Sequence, residues 1–181
     1  MERNRDSETV DTTPRQILSF MLDGDSFGVE ISGIQEVLEY RDVTRVPRTP
    51  DYMLGVLNLR GRVIPVVDLR RLFGMQIAPV SVETCIVIID VELDGKRTPL
   101  GVLADRVNEV VELDPALISP PPRLGARIKS SFIDGLARHE DDFIILLRLA
   151  LIFSRDELET VLHESAVDER RASADAEEVS V

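Results

Sequence analysis

The chain is poor in cysteine and in aromatic residues. Its 181 residues include one cysteine, Cys85, no tryptophan, and only 4% aromatic side chains. A single cysteine excludes an internal disulfide bond and a CxxC zinc site. Cys85 begins the apolar run Cys85–Ile89, which predicts a buried structural thiol. Because 44% of the residues are hydrophobic, the core is predicted to consist mainly of Val, Ile and Leu.

The sequence also lacks the patterns of common catalytic and cofactor sites. His139 lies in an acidic turn and His163 near the end of the last predicted helix, and neither has a Cys, Ser or Asp at catalytic spacing. The acidic residues 140–142 do not form a calcium-loop pattern, and no glycine-rich phosphate loop occurs. We therefore expect a non-enzymatic protein with no cofactor, no metal site and no catalytic residue.

Long apolar runs and net positive charge are missing as well. No stretch approaches the ~18 apolar residues of a membrane-spanning helix, and residues 1–14 lack the apolar segment of a signal peptide. We therefore expect a cytoplasmic protein without direct membrane insertion. The net charge of −12 argues against general nucleic-acid binding, which needs clustered Lys and Arg. Residues 41–71 are the exception, because they hold seven arginines against three acids.

What the sequence does contain is a strong β-hairpin pattern. The apolar runs Leu54–Leu59 and Val63–Leu69 flank the tripeptide Arg60-Gly61-Arg62. A glycine turn between two such runs predicts a tight hairpin with a cationic tip. Pro65 marks an edge, a bulge or a strand start, since it cannot donate a ladder hydrogen bond. Asn58 is expected to bond to the backbone of the turn, and Asp68 to pair with the arginines that follow it.

An internal repeat indicates a duplicated fold. Residues 55–69 align with residues 135–149 at an offset of 80, and residues 27–39 align with residues 100–112 at an offset of 73. These matches predict two similar β-units, at about 16–74 and 84–149, each with about five short strands. Units of ~60 residues are marginal alone, so we expect them to pack across an apolar seam that leaves a groove between them.

The ends of the chain differ from this body. Residues 1–14 are predicted to be a flexible N-terminal arm, and residues 15–152 the main domain. Residues 153–163 have helical spacing, with Ser154 and Glu157 as a capping box. Residues 164–181 carry six acids against two arginines and are predicted to be an acidic disordered tail.

Several motifs together resemble the CheW family of chemotaxis coupling proteins. They are Ile34-Gln-Glu-Val37, Val43-Thr-Arg-Val-Pro47, the long run Gly55–Gly74, and Pro120-Pro-Pro122. The resemblance implies a mainly β fold of two tandem SH3-like five-stranded β-barrels with short helical turns and a C-terminal helix. It also implies a non-enzymatic adaptor that couples chemoreceptor cytoplasmic tips to the histidine kinase CheA at its regulatory domain, recruited to membrane-associated receptor arrays.

The resemblance also assigns roles to individual positions. Ile34, Glu36 and Arg60 correspond to receptor-binding positions, and Gly55 to a kinase-binding position. Val37, Asn58 and Arg62 are further interface candidates, and Glu36 is a candidate partner for Arg60. The chain departs from the family at Arg148, where the family usually has Asp, and this departure puts the docking of the C-terminal helix in question.

Two alternatives remain open at this point. One is a small-barrel nucleic-acid-binding protein that uses arginines of the basic region, namely Arg41, Arg45, Arg60 and Arg62. The net negative charge and the scarcity of aromatic side chains count against it. The other is a CheW-like coupler that serves a non-flagellar signalling pathway.

Overall fold

The computed structural model describes residues 12–121, 128–154 and 156–163. Residues 1–11 of the predicted arm and the whole predicted tail, 164–181, lie outside the described residues. Single 3-10 turns lie at Ile31–Gly33, Pro115–Leu117 and Ser130–Phe132. In chain order, the strands and helices are β1 (Arg15–Leu22), β2 (Asp25–Glu30), β3 (Ile34–Glu39), β4 (Met53–Leu59), β5 (Arg62–Val67), α1 (Leu69–Leu72), β6 (Cys85–Leu93), β7 (Lys96–Ala104), β8 (Arg106–Leu113), β9 (Ile118–Ser119), β10 (Ile133–His139), β11 (Asp142–Leu147), α2 (Leu149–Ile152) and α3 (residues 156–163).

The mainly β prediction is confirmed, and the strands form two sheets. Sheet A has the order β8-β1-β2-β11-β10-β9, and sheet B the order β3-β6-β7-β5-β4. The edge strands of sheet A, β8 and β9, follow each other in the chain through one 3-10 turn. In sheet B, the chain after β3 reaches Thr44, which forms an antiparallel bridge to Val56 of β4. Each sheet therefore curves until its two edges meet, as in a small barrel.

The prediction that the two units follow one another along the chain is wrong. Strands β1 and β2 belong to the first half of the chain, but β1 pairs with β8 and β2 pairs with β11, both of the second half. Conversely, β6 and β7 pair with β3 and β5 of the first half. Each sheet is thus built from the opening hairpin of one half and the later strands of the other. A repeat shows which strands are alike, but it does not show which strands pair.

The duplication itself is visible in the pairing register. In sheet A, Gly28 of β2 lies beside Leu146 of β11 in a parallel pair. In sheet B, the equivalent Gly101 of β7 lies beside Val66 of β5, also in a parallel pair. At either glycine an added Cβ would lie 3.2 Å or less from a neighbouring side chain. Glycine at both positions therefore permits the close approach of strands from different halves.

Three apolar clusters fill the molecule. One lies inside each sheet, and the largest lies between the sheets and includes Phe20, Phe27, Val87 and Ile89. The central strand β6 alternates between two clusters, because Ile86 and Ile88 face the interior of sheet B while Val87 and Ile89 face the seam. Strand β6 is therefore buried on both faces, and the predicted apolar seam is confirmed.

The C-terminal helix docks on this seam despite the departure at Arg148. Leu158 and Val161 of α3 are buried in the seam cluster. Ser154 accepts a hydrogen bond from the Glu157 backbone N–H at 3.2 Å, as the predicted cap requires. The Glu157 carboxylate accepts a bond at 2.9 Å from the hydroxyl of Tyr52. One half of the predicted capping box forms, and Glu157 links α3 to the segment before β4.

Candidate functional site

Strand β3 presents three predicted interface residues at one edge of sheet B. It pairs with β6, and its register shifts between Ile34 and Glu36, which is a local irregularity of the kind that often redirects side chains near functional sites. Ile34 and Glu36 are half-buried, whereas Val37 is 42% exposed. Ile34 packs against the seam cluster. The strand therefore offers a mixed apolar and acidic surface.

Arg60 joins this surface from the opposite edge of sheet B. It lies in the β4–β5 turn and donates two hydrogen bonds to Glu36, from Nη1 to Oε1 at 2.6 Å and from Nη2 to Oε2 at 3.1 Å. The Arg60 side chain is 74% exposed and that of Glu36 is 24% exposed. The hydrogen bonds that Arg60 donates to Glu36 raise the pKa of Arg60 above its ordinary value. The expected pair is confirmed, and it fixes the guanidinium at the protein surface.

We call Ile34, Glu36, Val37 and Arg60 the β3 surface. The turn beside it has the predicted chemistry, because the Asn58 side chain accepts a hydrogen bond from the Gly61 N–H at 3.1 Å. Arg60 and Gly61 both have positive φ, 51° and 80°, as expected for a two-residue hairpin turn. Arg62 lies two residues beyond Arg60 and is exposed.

Pro65 is not at an edge of the sheet, because β5 lies between β7 and β4. It is paired with Val56 of β4 in the antiparallel ladder. The parallel ladder with β7 involves Val66 and Val67. Pro65 therefore lies inside the strand, close to the register shift of the β4–β5 ladder between Met53 and Gly55, and proline is tolerated in sheets at such irregularities.

Gly55 lies apart from the exposed residues. It is buried in β4 with φ of 151°, and an added Cβ would lie 2.2 Å from the Thr44 carbonyl oxygen. Thr44 and Val56 exchange two backbone hydrogen bonds at 2.9 and 2.8 Å. The absence of a side chain at Gly55 therefore allows the backbone at Thr44 and Arg45 to pack directly against β4.

A buried charge network extends beyond the ion pair that the sequence predicts at Asp68. Arg70 and Asp68 are 4% and 1% exposed, and Arg70 donates from Nε and Nη2 to Asp68 at 2.9 and 3.0 Å. Arg70 also donates from Nη1 to Asp105 at 2.6 Å, and Asp105 accepts from the Asp23 N–H at 2.9 Å. Arg71 approaches Asp68 only to 3.6 Å. The network ties the end of β5 to the β1–β2 turn of sheet A. No spacing pattern points to Asp105, because it lies 35 residues from Arg70.

Arg148, the repeat equivalent of Asp68, has a different role. It occupies the N-cap position of α2 without a capping bond from its side chain, and it donates to Asp134 at 2.6 Å. Arg15 donates to the other oxygen of Asp134 at 2.7 Å. Partial burial acts to raise the pKa of Asp134, but the bonds from Arg15 and Arg148 outweigh it and lower the pKa. The charge reversal at Arg148 is therefore accommodated within sheet A.

A groove of about 320 Å³ follows the seam next to the β3 surface. It begins at Gly33 and Ile89, and Ile89 is the cross-strand partner of Ile34. Its floor is mainly apolar, and its rim carries Glu30, Asp90 and Glu92. The predicted groove between the two units is therefore present, and it extends the β3 surface along the seam.

Other predicted features lie elsewhere. Cys85 is half-buried, less than predicted, and its thiol donates to the Glu83 carbonyl at 3.2 Å. Burial raises the pKa of the Cys85 thiol.

His139 Nε2 lies 3.4 Å from Glu109 Oε1, close to the repeat equivalent of the Glu36–Arg60 pair. Among residues 12–121, 128–154 and 156–163, no three His, Cys, Asp or Glu side chains cluster to hold a metal ion. Within the same ranges, no helix has the length and apolarity to cross a membrane.

Comparison with known proteins decides the family. Residues 16–157 match the CheW-like domain. The chain belongs to the CheW family. It is 30% identical over 151 residues to the chemotaxis protein CheW of Klebsiella aerogenes, and the match covers 83% of this chain and 89% of that protein. It is 31% identical over 145 residues to the chemotaxis protein CheW of Rhizobium meliloti, and the match covers 80% of this chain and 91% of that protein.

A solved CheW structure has the same fold. The crystal structure of the scaffolding protein TtCheW from Thermoanaerobacter tengcongensis matches with a TM-score of 0.71 at 32% identity, covering 80% of this chain and 91% of that chain. The family resemblance seen in the sequence motifs is thereby confirmed. This CheW-family chain is a non-enzymatic scaffold of chemotaxis-type signal transduction.

Proposed function

We propose that this CheW-family chain binds the cytoplasmic tip of a chemoreceptor through the β3 surface and the regulatory domain of the kinase CheA through a separate surface. Ile34, Glu36 and Arg60 carry the receptor contact, with Val37 and Arg62 beside them. The main support is the exposed Arg60 guanidinium, which Glu36 holds in one orientation. An arginine already fixed in place loses less side-chain entropy on binding than a mobile one. Interfaces often use such an arginine as an anchor.

The proposed contact has an apolar centre and a charged rim. Val37 is exposed beside Glu36, and the seam groove continues the surface with a mainly apolar floor. Protein interfaces commonly combine an apolar core with polar surroundings. Gly55 acts indirectly in this proposal, since it is buried and positions residues 41–48. Asn58 likewise acts through the turn that presents Arg60.

An adaptor of this kind works by bringing two partners together. Binding both at once raises the effective concentration of each for the other. It transmits a receptor signal only when its contacts have different free energies in the kinase-on and kinase-off states. The protein would act in the cytoplasm and reach the membrane-associated array through its receptor contact.

Binding of each partner tests the proposal directly. Isothermal titration of the purified chain with a receptor-tip fragment and, separately, with the CheA regulatory domain should detect both complexes. The Arg60→Glu variant should lose at least about tenfold in receptor affinity and keep kinase affinity within about twofold. Arg97→Glu, at an exposed position on β7, is the matched control. A wild-type chain that binds neither partner would rule out the proposed function.

A charge swap separates partner contact from internal stabilisation. The double variant Glu36→Arg/Arg60→Glu restores an ion pair between the same two positions with its polarity reversed. Arg60 could serve only to join the β4–β5 turn to β3 through its ion pair with Glu36. In that case the swap should recover the receptor binding that Arg60→Glu loses. We expect no recovery, because the partner would then face charges of the wrong sign. Recovery to wild-type affinity would show that Arg60 is not part of the receptor interface.

A further inference from the structure

Four exposed arginines, which we call the arginine strip, lie along one edge of sheet B and have no side-chain partner among the residues that the structure describes. They are Arg41, Arg45, Arg48 and Arg62. No side chain in residues 12–121, 128–154 or 156–163 forms an ion pair or hydrogen bond with their guanidinium groups. Other arginines of the same half do have partners, such as Arg60 on Glu36 and Arg70 on Asp68.

The fold arranges the strip along the outer edge of sheet B. Thr44 is bonded to Val56 of β4 by two backbone hydrogen bonds, so residues 41–48 run beside that strand. The bridge is antiparallel, so Arg41 lies toward the Arg60 turn and Arg45 toward the start of β4. Val56 and Arg60 are four residues apart, about 14 Å along a strand. Arg48 lies at the far end, where it lines a groove with Tyr52 and Thr160 of α3.

The strip carries a local excess of positive charge, except at Arg48, whose groove is also lined by Asp156 and Glu157. Residues 41–48 contain three arginines and one acid, Asp42, although the whole chain has a net charge of −12. Glu36 of β3 does not neutralise the strip, because both of its carboxylate oxygens already accept hydrogen bonds from Arg60. A positive strip on an otherwise acidic protein attracts acidic partners to this edge and repels cationic ones there.

We infer that the arginine strip docks a carboxylate-rich segment of the protein that contacts the β3 surface. This inference rests on the proposed function, because it states the chemistry of the receptor segment at that site. Arginine forks bind carboxylates in bidentate fashion, and the Glu36–Arg60 pair shows this geometry on the same surface. Val37 supplies an apolar neighbour, as a protein interface needs.

The same features disfavour a nucleic acid as the occupant. Binding of single strands uses exposed aromatic side chains for base stacking. The two tyrosines of the chain, Tyr40 and Tyr52, are both half-buried, and Tyr52 is bonded to Glu157. The overall charge of −12 adds long-range repulsion of a polyanion.

The test is the salt dependence of receptor-fragment binding by the full chain. Between about 50 and 500 mM salt, wild-type affinity should fall by about tenfold, because exposed charge pairs are screened. The triple variant Arg41→Glu/Arg45→Glu/Arg62→Glu should bind at least about tenfold more weakly at low salt and lose most of the salt dependence. The matching triple Arg→Lys variant should keep that dependence. Lys96→Glu/Arg97→Glu/Arg138→Glu, at exposed positions elsewhere, is the control.

Each other outcome overturns the inference in a recognisable way. If the wild type binds the fragment but the strip triple variant binds equally well at every salt concentration, the strip is not part of the contact and the proposed function stands. If the strip variant loses only binding to anionic phosphatidylserine vesicles or to an oligonucleotide, the occupant is a lipid or a nucleic acid. If a chain ending at residue 163 binds the fragment at least about tenfold more tightly than the full chain, the occupant is the chain's own residues 164–181. If wild type binds no fragment, the proposed function fails together with this inference.

Discussion

Two arginines of the first half, Arg60 and Arg70, make ion pairs of different energetic character. The Arg60–Glu36 pair is exposed to solvent and orients a side chain, so its role is to present a charge. The Arg70–Asp68 pair is buried and satisfies two charges that would otherwise be unpaired in the interior. The two pairs also differ in the sequence, since Glu36 lies 24 residues from Arg60 whereas Asp68 lies two residues from Arg70.

Removing Arg70 should therefore cost far more stability than removing its neighbour. In the Arg70→Met variant, Asp68 would be left almost without a cation in a buried position. We expect a loss of about 3–5 kcal/mol in the free energy of unfolding, measured by urea denaturation. Arg71→Met, at an exposed position 3.6 Å from Asp68, should cost no more than about 1 kcal/mol. Equal effects of the two substitutions would contradict the buried network.

Gly55 allows a second prediction at the residue scale. An alanine Cβ there would meet the Thr44 carbonyl oxygen, and φ is also unfavourable for side chains. Gly55→Ala should lower the unfolding free energy by about 2–5 kcal/mol. Gly95→Ala tests φ alone, since no atom lies within 4 Å of an added Cβ, and should cost about 1–2 kcal/mol. A Gly55→Ala variant as stable as the Gly95→Ala variant would show that residues 41–48 are not held as described.

At the scale of elements, α3 is joined to the body by an apolar face and one polar bond. Leu158 and Val161 are buried in the seam, and Glu157 accepts from Tyr52. Burial and the bond to Glu157 raise the pKa of Tyr52 to about 12, from an ordinary value of 10.0. The neutral phenol is thus favoured in the folded state. Its contribution to stability is complete below pH about 10 and is lost as the pH rises through about 12.

Tyrosinate absorbance tests this contact, because Tyr40 and Tyr52 are the two tyrosines of the chain. The difference between the titrations of the wild type and Tyr52→Phe isolates Tyr52. We expect a midpoint near 12 in that difference and a smaller loss of stability between pH about 10 and 12 in the variant. Glu157→Gln should move the Tyr52 midpoint downward, because the phenolate would no longer face a carboxylate. A wild-type midpoint near 10 would mean that α3 does not hold Tyr52.

At the scale of the whole molecule, the two halves are interdependent. Sheet A needs β1 and β2 from the first half, and sheet B needs β6 and β7 from the second. Central strands such as β6 are buried on both faces by residues of both halves. Neither half can therefore complete a sheet from its own strands.

Expression of the halves as separate fragments tests this arrangement. Residues 1–76 and 77–181 should each lack native β-structure by circular dichroism and two-dimensional NMR. Mixed together, they should recover the spectrum of the intact chain, since each provides the strands that the other lacks. Independent folding of residues 1–76 into a stable barrel would instead support consecutive units.

The sequence predicts local features well and long-range pairing poorly. The Arg60-Gly61 turn, the Asn58 bond and the Ser154 cap follow from turn chemistry and capping rules. The Glu36–Arg60 pair spans 24 residues, and only the family motif indicates it. The exchange of hairpins between sheets does not follow, because equivalent strands have the same apolar pattern and fit either sheet. Asp105 was missed for a related reason, since only the crossed pairing brings it to Arg70.

Simultaneous binding of both partners tests the central claim most directly. A receptor-tip fragment is immobilised on a biosensor surface, and the CheA regulatory domain flows over it with or without the chain. The account predicts kinase-domain capture only when the wild-type chain is present, and at least about tenfold weaker capture with Arg60→Glu. If the receptor fragment and the kinase domain displace each other from the chain, it does not couple them and the account is wrong.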